Sequence, residues 1–64
     1  MLDRKIIAAR LRQLLAADKN ACAIYSELAQ LTDKDALRTV FLGLSKEEAR
    51  HSKLDEEMLL LLEE

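Results

Sequence analysis

The segment SKEEARHSK holds Glu47, Glu48 and the only histidine of the chain, His51. Glu48 and His51 are three residues apart, so on a helix their side chains project together. Glu47, four residues before His51, offers a second carboxylate on the other flank, and helical geometry alone does not choose between the two. A third acid, Asp18, lies 30 residues before Glu48. Carboxylate oxygens with one imidazole nitrogen form a hard-to-borderline donor set of the kind that holds iron, manganese or zinc. Tyr25 follows Asp18 by seven residues and Asp55 follows His51 by four, spacings that keep each on the same helical face.

The rest of the chain must put those groups together. It has 64 residues, no Pro, one Gly, one Cys and only two aromatic side chains, and half of it is apolar. That composition predicts an all-α protein with an aliphatic core. A chain this short needs something beyond its own core to be stable. One cysteine rules out an intrachain disulfide, which leaves a metal, a partner chain, or both. Charge is mixed, with 10 basic and 12 acidic residues, and no basic block points to nucleic acid. No apolar run approaches the ~20 residues of a membrane span. The charged N-terminal stretch MLDRKIIAARLRQLL is unlike a secretory signal, so a reducing cytoplasm is the expected compartment.

The only punctuation is LTDKDAL, at residues 31–37. Thr32 and Asp33 are good helix N-cap types, and Asp35 stands three beyond Thr32 as in a capping box. A single domain over residues 1–64 follows: a helix over about 3–31 capped by Asp3, a turn at about 32–34, and a helix over about 34–62. Gly43, inside the second helix, either lets another helix approach closely or is merely tolerated. At 100° per residue the first helix carries a stripe of Ile7, Leu11, Leu14, Cys22, Tyr25, Ala29 and Thr32, interrupted by Asp18. Glu27 points to the opposite side. The second helix carries Leu37, Val40, Leu44, His51, Asp55, Met58 and Leu62, with Glu48 and Glu47 on its two flanks. Met58, Leu59 and Leu62 are expected to face the first helix.

These polar interruptions match in height. Asp18 is 15 residues before a turn centred near residue 33, Glu48 is 15 after it and His51 18 after it. In an antiparallel hairpin all three then lie about 22–27 Å from the turn. Burying an unpaired carboxylate costs several kcal/mol, so the coincidence calls for a compensating partner. One hairpin supplies three ligands. Two hairpins about a twofold axis would supply four carboxylates and two imidazoles, the donor set of two-metal carboxylate sites in four-helix bundles.

The stretch DKNACAIYSELAQLTDKDALRTVFLGLSKEEARHSKLDEEM resembles the ferritin-like and rubrerythrin-like pattern of an acid, a tyrosine seven residues on, a turn, and then EExxH. Its two-helix form most resembles the encapsulated ferritins, and the likeness covers residues 18–58. The resemblance implies a hairpin that dimerises into a ferritin-like four-helix bundle with a di-iron centre shared between two chains. It implies that Asp18 and Glu48 are carboxylate ligands, that Glu48 can bridge two irons, and that His51 is a terminal ligand. It implies that Tyr25 hydrogen-bonds a ligating carboxylate. Position 18 is Asp where the family usually has Glu, one methylene longer. The C-terminal address that routes such proteins into an encapsulin shell is not visible in LLLLEE.

The expected function is therefore a ferroxidase that oxidises Fe(II) to Fe(III) for iron storage or detoxification, with manganese or zinc as possible substitutes. It would act as a homodimer within a larger oligomer, and the resemblance implies an encapsulin nanocompartment as its shell. Asp55 reads as a solvated or ion-paired acid, with a carboxylate on the route of iron as its other use. Cys22 reads as a small core residue. Two other readings stand beside the ferroxidase. One is a rubrerythrin-like peroxide scavenger, which would need an outside electron donor because a Cys₄ iron centre is missing. The other is a helical oligomerisation or adaptor module with a vestigial or zinc-holding site. The apolar excess in IIAA at 6–9 and in MLLLL at 58–62 predicts contact with further chains.

Overall fold

The structure, a computed structural model, describes residues 3–63; Met1, Leu2 and Glu64 lie outside the described residues. Two helices, α1 (Arg4–Leu31) and α2 (Asp35–Glu63), pack antiparallel into a hairpin measuring 51 × 14 × 14 Å. The described residues contain no strand, and no helix among them is long and apolar enough to cross a membrane. Asp3 caps α1 as its type and position suggest. Its carboxylate accepts hydrogen bonds from the backbone N–H of Lys5 at 2.9 Å and of Ile6 at 3.4 Å.

The turn is built differently from a capping box. Thr32 Oγ1 accepts from Lys34 N–H at 3.2 Å, and α2 starts at Asp35. The residue that holds the turn is Arg38. Its guanidinium donates to the carbonyls of Ala29 at 3.2 Å and Thr32 at 2.7 Å, and pairs with Asp35 at 2.8 Å. The last carbonyls of a helix have no partners within it and carry its negative dipole end. α1 has no basic residue in its last turn, so α2 supplies the missing donor and positive charge.

The seam between the helices is narrow and lined by small residues. Ala29 is the one buried apolar residue among those described, at 3% exposure, and Ser45, Ser52 and Asp55 are the buried polar ones. Ser45 Oγ–H donates to the Cys22 carbonyl at 3.1 Å. Its oxygen lies 2.7 Å from Ser26 Oγ, which is then the donor. Cys22 Sγ–H reaches the Ser45 carbonyl at 3.3 Å. Ser52 is satisfied within its own helix by the Glu48 carbonyl at 3.0 Å. Tyr25 stacks on Phe41 with ring centroids 6.4 Å apart.

This rotates α2 from the expected stripe. The row turned toward α1 is Arg38, Phe41, Ser45, Glu48, Ser52, Asp55, Leu59 and Leu62, the half-buried and buried positions of that helix. Leu37, Val40, Leu44 and Met58 stay exposed on its flank. Met58, expected against α1, instead lines a shallow apolar groove between the helices with Ile7, Leu11, Leu61 and Leu62. Small side chains let the two backbones approach at Ser45 and Ser52, and the larger Phe41, Leu59 and Leu62 of the row are half-buried. Gly43 has no role in that approach: a methyl group added there meets no atom within 4 Å.

Two outcomes follow. Arg38→Ala removes charge-assisted bonds to two helix-end carbonyls and should lower stability by about 1–2 kcal/mol, read as a fall in urea midpoint with unchanged slope. Gly43→Ala should raise stability by about 1 kcal/mol, since the position is helical and open; a loss in the same assay would mean that another chain packs over it.

Candidate metal centre

The matched heights hold in three dimensions. Asp18 is the fifteenth of the 28 residues of α1, and Glu48 the fourteenth of the 29 of α2. The antiparallel pairing therefore puts both at the middle of the hairpin. Asp18, Glu48 and His51 each bring a ligand-type atom within 4.8 Å of the others. His51 Nδ1 lies 3.7 Å from Glu48 Oε2, too far for a hydrogen bond. The Glu48 side chain is 22% exposed and that of His51 50%. The imidazole thus stands at the open edge of the cluster, on the flank of α2 that also carries Leu44 and Met58.

The other sequence candidates separate. Glu47 is exposed and outside the cluster, so the choice between the adjacent glutamates falls to Glu48. Tyr25 belongs to the Tyr25–Phe41 stack, and among the described residues its hydroxyl makes no hydrogen bond to a carboxylate. Asp55 reverses its expectation. It is not a solvated acid but the least exposed charged residue among those described, at 5%, and its Oδ2 has no hydrogen-bond partner. The spacing from His51 put it on the packed stripe; its charge was the reason to read it as solvated or ion-paired.

Asp55 faces Asp18 across the seam. A hydrogen bond to the Asp18 side chain, helped by burial and by the negative charges of Asp18 and Glu48, raises its pKa above the ordinary carboxylate value, while His51 opposes the shift. Among the described residues no lysine or arginine lies within 4.0 Å of either aspartate. The nearby Lys19 pairs with Glu56 at 3.5 Å on the surface, where such a contact adds little stability. The cluster thus holds two carboxylates and one imidazole, with the buried Asp55 carboxylate beside Asp18, and among the described residues no lysine or arginine pairs with either aspartate. An unpartnered buried carboxylate oxygen and a surplus of negative charge fit a site for a divalent cation, and the oxygen-rich donor set favours iron or manganese, with zinc also accommodated.

The chain matches no protein-family model, no curated protein and no solved structure.

The raised pKa of Asp55 sets the pH dependence of the metal-free hairpin. A carboxyl that holds its proton more tightly folded than unfolded adds stability below its ordinary value of 3.8, and that contribution is lost as pH rises through the raised folded value. Metal-free protein should show this loss over the carboxylate range, and Asp55→Asn should flatten the profile and raise the melting temperature at neutral pH. Identical profiles for the two proteins would contradict the assignment.

Proposed function

We propose that the protein is a ferroxidase that binds Fe(II) at a centre shared by two copies of the hairpin and oxidises it to Fe(III). The observation that carries this reading is the convergence of Asp18, Glu48 and His51 within 4.8 Å at mid-length, with the imidazole on an open flank. Three donors leave a cation half-coordinated. A second hairpin laid over the same flank about a perpendicular twofold axis would bring an identical set only if the cluster sat near the middle of the face, as it does. The surface around it suits such a contact. Leu14, Val40, Leu44 and Met58 are exposed there, and Ile7, Leu11 and Leu61 line the apolar groove. An exposed apolar stripe of this length is characteristic of a surface that another chain covers. The occupant is a second copy, because it alone brings the missing donors.

In that assembly two copies of Asp18, Glu48 and His51 would hold two Fe(II) ions, and the four carboxylates would offset their charge. Each ion gives up one electron. The pair reduces dioxygen to hydrogen peroxide with uptake of two protons and leaves two Fe(III). The chain contributes the spacing of its carboxylates, their preference for the more highly charged product, and a flank from which the partner excludes water.

The test is stopped-flow absorbance after mixing Fe(II) with aerated protein. The parent should develop the near-ultraviolet absorbance of Fe(III) at least tenfold faster than His51→Ala at equal concentration, with one iron oxidised per chain in the first turnover. Equal rates in the two proteins would overturn the reading. Oxidation that is fast with peroxide and slow with dioxygen would point to peroxide scavenging instead.

A further inference from the structure

We propose that Asp55 is a third metal-holding carboxylate of the same chain, pairing with Asp18 across the seam so that one hairpin can take up a divalent cation. This rests on the metal-centre reading above and extends it to a residue outside the cluster of three. Asp55 is 5% exposed, and one of its carboxylate oxygens has no partner. Its neighbour across the seam is another acid. Among the described residues no lysine or arginine stands within 4.0 Å of either group. A carboxylate kept from water needs a hydrogen-bond donor or a cation, and the backbone N–H groups at mid-helix are committed to the helix itself. A divalent cation satisfies both acids at once.

Side-chain length supports the same placement. Asp18 has one methylene fewer than a glutamate and reaches less far toward the open flank. Asp55 stands one helical turn beyond His51 and deeper in the seam, beside Asp18. The two aspartates can share an ion that neither reaches alone, while Glu48 and His51 approach from the flank. Uptake could then precede the arrival of a second hairpin, with half of each ion's donors already set by α1 and α2.

Anaerobic titration of the full-length chain with Co(II), read by calorimetry and by visible absorbance, separates the possibilities. The d–d bands of Co(II) respond to ligand number and type. Asp55→Asn, close in size and shape, should weaken Co(II) binding about tenfold or more and alter the band shape. Glu56→Gln, its exposed neighbour, should match the parent in both. Circular dichroism should show parent helix content in each variant. Parent affinity and parent spectrum in Asp55→Asn would overturn the proposal. Weaker binding with an unaltered spectrum would also overturn it, because Asp55 would then act only by positioning Asp18. If His51→Ala loses Co(II) while Asp55→Asn keeps it, the three-residue centre stands and only the role of Asp55 falls. A parent that binds no Co(II) removes both.

Discussion

Two helices side by side can bury only the strip along which they touch. In this hairpin the buried part of that strip is Ala29, Ser45, Ser52 and Asp55, while Phe41, Leu59 and Leu62 along it are only half-buried. Hydrophobic burial scales with apolar area removed from water, so a seam of this composition contributes little. The larger aliphatic residues stand outside it, among them Leu14, Val40, Leu44 and Met58. The Arg38 clasp and the Cys22–Ser26–Ser45 network add to what the half-buried apolar side chains contribute, and much of the apolar surface is left exposed. That imbalance is why the proposed second copy matters: it would turn an exposed stripe into a core.

The acids intensify the same constraint. A small seam could have been entirely alanine and serine. Instead Asp55 is buried in it, where a hydrogen bond to Asp18, burial and the negative charges of Asp18 and Glu48 disfavour its ionised form, and among the described residues no lysine or arginine lies within 4.0 Å of either aspartate. Such groups work against folding when the site holds only protons. They favour folding when it holds a cation, because whatever binds the folded state alone stabilises it by mass action. Under the proposed reading, stability, assembly and iron binding are one coupled equilibrium. The chain would tie its folding to the ion on which it acts.

Much of this was legible in the sequence. Asp3, the LTDKDAL turn and the absence of proline place both helices to within a residue or so of Arg4–Leu31 and Asp35–Glu63. The height of Asp18, Glu48 and His51 could be counted from the turn, because helical rise is constant. Rotation was harder to read. The most apolar stripe of α2 was the natural candidate for the packed face, yet Ser45 and Ser52 occupy it, since close approach selects small side chains over apolar ones. The same rotation leaves Met58 on the flank, while Asp55, which lies on both the expected and the observed stripe, is buried. Arg38 escaped notice for another reason: its partners belong to α1, and only the lack of a basic residue in the last turn of α1 hinted that a donor had to come from elsewhere. Tyr25, assigned by resemblance to a ligating carboxylate, pairs with the ring of Phe41.

The central claim is that two hairpins and their cations form one unit. Native mass spectrometry of the full chain, titrated anaerobically with Fe(II), counts chains and metal ions in the same particle. The account predicts even-numbered assemblies carrying one iron per chain, with metal-free single chains appearing when a chelator is added. Single chains that bind no iron, or dimers whose population is indifferent to iron and to the loss of His51, would contradict it.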